Sequence, residues 1–177
     1  MALLWVVPSI LVLIGIDQLT KLWAVAELKG QPVIEIITGV FELDYTENPG
    51  VAFSMLVNQR WLFIPLSLLI TGFFLVLLVR SPLRKSVWFN VICALIVSGA
   101  IGNLIDRIAY GYVIDFLSFC LIDFPIFNFA DCCVVVGAIL LFIAVLFGMK
   151  KYEEVPLRTL LFNIPVKEKE PKEQNDG

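Results

Sequence analysis

The chain has 177 residues, 59% hydrophobic and 16% charged, with a mean hydropathy of +0.90 and a formal net charge of −3. Soluble domains average about 45–50% apolar. A chain this short cannot build a core large enough to absorb the excess, which excludes a soluble globular domain and calls for a membrane. The small charge argues against nucleic acid as a partner, and the lack of His removes His-based catalysis and most zinc sites.

In chain order, the first apolar segment runs without charge from Ala2 to Ile16 and can continue helically through Asp17 to Trp23. It lacks a basic leading region and a small-x-small cleavage site before "DQLTK", so it reads as a retained helix, not a secretory signal. Asp17 and Lys21 stand at i and i+4, the spacing of a helix-face ion pair. The link that follows, about 24–60, carries Glu27, Glu35, Glu42, Asp44 and Glu47 against Lys29 and Arg60. Within it, "VIEII" and "VFELDY" flank a Thr38-Gly39 turn, which predicts a short β-hairpin lying on the bilayer surface.

Three further uncharged runs follow: Trp61–Val79 (19 residues), Ser86–Ile105 (20 residues) and Cys132–Met149 (18 residues). A bilayer core needs about 20 helical residues, so the chain predicts four transmembrane helices. The link between the second and third runs holds Arg80, Arg84 and Lys85 without an acid, and Lys150 and Lys151 follow the fourth. By the positive-inside rule both segments, and therefore both termini, are cytoplasmic. The links about 24–60 and 106–130 then face outward. The expected fold is an all-α polytopic membrane protein with a small extracytoplasmic β-hairpin or cradle, about 31–55, in the first outer link. The domain division is 1–150 for the membrane part and 151–177 for a charged, flexible cytoplasmic tail.

Ionisable side chains at membrane depth are functional candidates by default. This topology places Asp17, Lys21, Asn48, Asn103, Asp106, Arg107, Asp115, Asn128 and Asp131 at one level, the outer interface. Several have structural readings. Asn128 followed by Asp131 resembles a helix N-cap with an acidic first turn, and Asp106 with Arg107 can orient the outer link. Asp115 has no such reading: it is flanked by Val113, Ile114, Phe116 and Leu117. Asp123 is a rival partner for it. Two neighbouring Asp in low dielectric share a proton, and one carboxylate can then activate water while the other hydrogen-bonds a scissile carbonyl. That chemistry needs no His, Ser or Cys. The four cysteines, Cys93, Cys120, Cys132 and Cys133, show no metal-binding spacing.

Five blocks, "DQLTK" (17–21), "ENPGVAF" (47–53), "GAIGNLIDR" (99–107), "GYVIDF" (111–116) and "FNFAD" (127–131), make the chain resemble the bacterial lipoprotein signal peptidase (signal peptidase II) family over about residues 10–150. The resemblance implies an aspartyl endopeptidase without a cofactor or metal. It implies removal of the signal peptide from prolipoproteins just before a diacylglyceryl-modified Cys, in the bacterial cytoplasmic membrane, with membrane lipids around it. It implies Asp115 and Asp131 as the catalytic dyad, with Asn48, Gly50, Gly99, Asn103, Asp106, Arg107, Asn128, Asp17 and Lys21 shaping the site. Asp123 falls outside the blocks. A monomer is expected. Two positions depart from the family pattern: Cys132 stands where Ser is common, and Ser98-Gly99 where a Gly pair is frequent. Against this stand a proton-coupled carrier, which needs polar steps across the whole bilayer, and a scaffold protein indifferent to both Asp. An aspartyl protease of the presenilin type would carry a GxGD signature, which is absent.

Overall fold

Each of the four apolar segments forms a helix. The computed structural model describes residues 2–50, 60–122, 124–148 and 159. The helices are α1 (Ala2–Glu27), α2 (Arg60–Arg80), α3 (Val87–Ala109) and α4 (Phe129–Gly148). Among the described residues, Leu4–Glu27, Val87–Ala109 and Phe129–Phe147 are long and apolar enough to cross a bilayer; the apolar stretch within α2, Ile64–Arg80, is shorter. The expected tail beyond 150, Lys150, Lys151, Asp123 and the Val51–Phe53 part of "ENPGVAF" lie outside the described residues.

The predicted hairpin forms as β1 (Ile34–Ile37) and β2 (Phe41–Asn48), paired antiparallel. Gly39 takes a φ of +70° at its turn, a left-handed conformation open to glycine at no steric cost. The sheet is larger than the hairpin expected from sequence. A third strand, β3 (Val113–Phe119), comes from the link between α3 and α4 and pairs antiparallel with β2, giving the order β1-β2-β3. Thr46 lies opposite Asp115 and Asn48 opposite Val113. The outer link about 106–130, for which the sequence announced no strand, thus supplies β3. Residues 113–116 are all buried, so β3 shows none of the polar alternation that announces a half-exposed strand.

The step from α3 into β3 is short for a local reason. Gly111, at a φ of +85°, follows the helix end, and the backbone N–H groups of Tyr110 and Gly111 both bond the Asp106 carbonyl. This is a glycine-terminated helix cap, which reverses the chain at once. Asp115 therefore sits close to the end of α3. Ala24 of α1 and Leu28 just after it pack with Ile114 and Phe116, which fixes the sheet to the end of α1. Phe41, Phe119, Phe127 and Phe124 form a chain of ring contacts at 5.1, 5.5 and 5.7 Å that ties the sheet to the segment leading into α4.

Within the bundle α3 is central, packing against α1, α2 and α4. Without a hydrophobic drive between helices in lipid, close approach at small residues holds such bundles together. Gly99 lies against Ala130 and Val134, and a Cβ on it would meet Val134 Cγ2 at 2.7 Å. On Gly102 a Cβ would stand 2.5 Å from Asp17 Oδ2 and 3.2 Å from the Ala130 side chain. Gly137 of α4 returns the contact lower down, against Ile96 and Leu95. These glycines admit α4 and α1 to the flank of α3 at the level of the sheet. Substituting Gly102→Val is expected to force the helices apart and destabilise the protein by about 1–3 kcal/mol. Thermal unfolding in detergent checks this. An unchanged midpoint would show that the contact yields freely.

Candidate active site

The residues singled out in the sequence converge at the end of the bundle that carries the sheet. At its base is an ionic cluster. Lys21 Nζ lies 3.0 Å from Asp17 Oδ2, the expected i,i+4 pair, and 2.9 Å from Asp106 Oδ2 on α3. All three residues are 1% exposed. Asp17 Oδ1 accepts from the backbone N–H of Ala130 at 3.0 Å, and Asp106 Oδ2 accepts from the backbone N–H of Ile114 at 3.1 Å. The cluster therefore joins α1, α3, the start of α4 and β3. Asp106 orients the following link, as its structural reading proposed.

Gln18 is the residue that sequence reasoning passed over. Its Nε2 donates to Asp17 Oδ2 and Asp106 Oδ1, both at 3.1 Å, and to the Gly102 carbonyl at 3.3 Å. It lies inside "DQLTK", but a polar residue beside an ion pair reads as solvent-facing until the partner helix is known.

Above the cluster sit two carboxyl groups, Asp115 on β3 and Asp131 in the first turn of α4, on the wall of one cavity of about 650 Å3. Asn48 is the third polar residue of that wall. Phe119, Ile122, Phe124 and Ile126 line one side, and Cys132, Val135 and Val136 continue it along α4. The cavity is thus apolar except at the two carboxyls and the one amide.

Three asparagines hold the carboxyl groups. Asn48 Nδ2 donates to Asp115 Oδ2 at 2.8 Å, Asn128 Nδ2 to Asp115 Oδ1 at 2.6 Å, and Asn103 Nδ2 to Asp131 Oδ1 at 2.7 Å. None of the three amides can rotate freely, because each Oδ1 is held by a group that can only donate. Gly50 N–H donates to Asn48 Oδ1, Asp131 N–H to Asn128 Oδ1, and the Lys21 ammonium to Asn103 Oδ1, each at 3.0 Å. Asn128 Nδ2 also reaches Asn103 Oδ1 at 3.0 Å. Asp131 Oδ2 accepts from the backbone N–H of Asn128 at 3.2 Å. The Asn128–Asp131 pair is thus a reciprocal cap on the start of α4, as the spacing suggested. Arg107 donates to the carbonyls of Asn103 at 3.3 Å and Gly50 at 3.5 Å, bracing the turn after β2.

Ten of the eleven sequence candidates are bonded into this network, Gly50 by fixing Asn48; the eleventh, Gly99, opens the space for α4. Burial, and then the neighbouring Asp131 charge, push the Asp115 carboxyl up to about 7, against the N–H donors of Asn48 and Asn128. A carboxyl so placed exchanges its proton near neutrality. Further out, Lys29 lies 2.7 Å from Glu47, which also accepts from Tyr45 at 3.0 Å. This pair is exposed and ties the end of α1 to β2.

A family model described as signal peptidase (SPase) II matches residues 9–147. The lipoprotein signal peptidase of Streptococcus thermophilus strain CNRZ 1066 is 47% identical over 133 residues, covering 75% of this chain and 86% of that protein. That of Clostridioides difficile strain 630 is 45% identical over 142 residues, covering 80% and 95%. Two solved structures described as bacterial membrane enzymes superpose with TM-scores of 0.75 and 0.73 at 26% and 28% identity. They cover 86% and 80% of this chain and 93% and 92% of their own. Matched over most of its length by the family model and by relatives well above the level of chance, the chain belongs to the signal peptidase II family and is an integral membrane peptidase.

Proposed function

We propose that this protein is an aspartyl endopeptidase that removes the signal peptide from prolipoproteins, cutting just before a diacylglyceryl-modified Cys, with Asp115 and Asp131 as its dyad. The observation that carries this reading is the placement of two carboxyls, Asp115 buried and Asp131 part-buried, on one wall of an otherwise apolar cavity, each gripped by amide N–H groups whose direction is fixed. The apolar wall suits an acylated peptide, whose lipid chains remain in the bilayer. The relatives' name supplies the substrate class.

In this reading one carboxyl of the dyad is charged and the other carries a proton. The charged one takes a proton from water as the water oxygen attacks the scissile carbonyl carbon. The neutral one gives its proton to the carbonyl oxygen, leaving a neutral gem-diol. The proton taken from water then passes to the amide nitrogen as the C–N bond breaks. A gem-diol proton returns to the second carboxyl, and the dyad is restored. No metal and no covalent intermediate enter.

The same reading sets the topology. Four spans place the Arg80–Lys85 link and both termini in the cytoplasm and the sheet, with the cavity, at the outer face of the bacterial cytoplasmic membrane. In this reading the protein acts as a monomer.

Asp115→Asn and Asp131→Asn are each expected to give folded protein with cleavage reduced by about a thousand-fold or more. The assay is cleavage of a diacylglyceryl-Cys precursor by each purified variant, and a wild-type rate from either removes that residue from the dyad. The singly protonated dyad also has a pH signature. A carboxyl raised to about 7 keeps its proton below that pH and loses it above, so kcat/KM is expected to fall as pH rises through about 7. The sign for stability is the same. The folded chain binds this proton more tightly than the unfolded chain, so the contribution is present at low pH and is lost as pH climbs from the ordinary carboxylate range to about 7. Cys132, beside Asp131 on the cavity wall, has no step in this chemistry. Cys132→Ser is expected to retain activity within a few-fold, and strong substrate-protected inactivation by a small thiol reagent would give the thiol a part in it.

A further inference from the structure

The two carboxyls have the same number of amide donors but different surroundings. Asp115 lies on a strand with Val113, Ile114 and Phe116 buried around it, and its donors are two neutral side-chain amides. A strand has almost no net dipole to favour a charge. Asp131 lies in the first turn of α4, where the partial positive charge of the helix N-terminus favours an anion, and one of its donors is a backbone N–H of that turn. Its other donor, Asn103, is the amide whose oxygen faces the Lys21 ammonium.

That last contact has a directional consequence. An ammonium has three donors and no acceptor, so it admits only the oxygen side of the Asn103 amide. The N–H side is thereby committed to Asp131, and an N–H donor stabilises a carboxylate rather than a carboxylic acid. Lys21 is buried and bonds Asp17, Asp106 and the Asn103 amide oxygen. Its hydrogen-bonded path to Asp131 runs through the Asn103 amide.

Building on the dyad reading above, we infer that the charge is assigned before substrate arrives: Asp131 is the anion that activates water, Asp115 is the acid that protonates the carbonyl, and Lys21 is a positioning residue that enforces this through Asn103. The charged groups around the pair are accounted for in these terms. From α1 come Lys21 and Asp17, from α3 Asp106 and Arg107, and from β3 Asp115 itself. Glu47 of β2 faces away and is occupied by Lys29.

Chemical labelling separates the two carboxyls directly. A small membrane-soluble epoxide is opened by a carboxylate anion, the ring oxygen taking up a proton. A small diazo compound instead takes its proton from the neutral acid, loses dinitrogen and leaves an ester. Full-length protein in detergent, treated near pH 6 and mapped by peptide mass spectrometry, is expected to carry the epoxide adduct on Asp131 and the diazo ester on Asp115. The reverse pattern, or equal labelling of both residues by each reagent, overturns the assignment. Neither outcome touches the dyad itself, which stands or falls on the activity of the two Asn variants.

The role of Lys21 is tested in Lys21→Met combined with Asp17→Asn, which removes one charge of each sign and leaves an oxygen at 17 for the Ala130 N–H. Without the ammonium, only the Asn128 amide N–H still holds Asn103 Oδ1, and Asn103 can turn its oxygen to Asp131. The epoxide adduct should then spread to Asp115, and the acid limb of kcat/KM should rise by about one pH unit. A lower unfolding temperature with the wild-type label distribution and acid limb would mean that Lys21 is only structural. Should the double variant not fold, Asn103→Ser, which removes the amide and keeps Lys21, is expected to give the same spread of label, and wild-type labelling in it overturns the relay.

Discussion

One buried ammonium organises this end of the molecule. Lys21 bonds Asp17 on its own helix, and Asp106 and Asn103 on α3, at 2.9–3.0 Å. Its two carboxylate partners are themselves committed. Asp17 caps the backbone at Ala130, where α4 begins, and Asp106 holds the backbone at Ile114, one residue before Asp115. Removing one member of a buried ionic set leaves an uncompensated charge, at a cost of about 3–5 kcal/mol. The set is therefore expensive to disturb, and the segment carrying each candidate catalytic carboxyl hangs from it by a backbone hydrogen bond, with Asp131 tied a second time through Asn103. Packing alone would leave strand and helix free to slide against one another. The fixed lengths of these bonds do not.

The second layer of order is rotational. An asparagine side chain can usually flip, exchanging donor for acceptor at little cost. Here an ammonium and two backbone N–H groups each occupy one amide oxygen, and the three N–H sides are left pointing at Asp115 and Asp131. The site thus presents donors to its carboxyls before any substrate enters. In an apolar cavity such preorganised donors act at full strength, because no solvent has to reorient during the reaction. The same apolar walls raise the Asp115 carboxyl toward neutrality. Walls and donors oppose one another, and their balance leaves a carboxyl that gives up its proton near neutrality and not in strong acid.

Much of this was legible in the sequence, for identifiable reasons. Helix positions followed from uncharged runs near the bilayer length. Asp17–Lys21 followed from i,i+4 spacing, the cap at Asn128–Asp131 from i,i+3 spacing, and the β1–β2 turn from Thr38-Gly39. Asp115 stood out because an isolated acid among apolar neighbours demands a reason. What the residues did not reveal is what depends on contacts between distant segments. β3 is buried on both faces, so periodicity was silent about it. Gln18 gains meaning only when α3 brings Asp106 to it, 88 positions away. Gly99 was singled out from the motif and Gly102 was not, and the physical reason for both, the approach of Ala130 and Asp17, belongs to the packed bundle. The link Lys21–Asn103–Asp131 spans three helices and has no local trace at all.

The third strand also bears on why a helical bundle carries a sheet. Two carboxyls on neighbouring helices at one depth would share similar fields, and nothing would decide which one ionises. Here one sits at a helix start, in the field of the α4 N-terminus, and the other on a strand without such a field. The short glycine cap at Gly111 makes this possible, because it turns α3 into β3 within a few residues and brings the strand beneath the start of α4. Strand and helix are then stitched by Asn128, whose amide reaches Asp115 Oδ1, the Ile114 carbonyl and Asn103 while its oxygen caps α4. The asymmetry of the pair is thus a property of the secondary structure on which each member stands. It does not depend on which apolar side chains line the cavity.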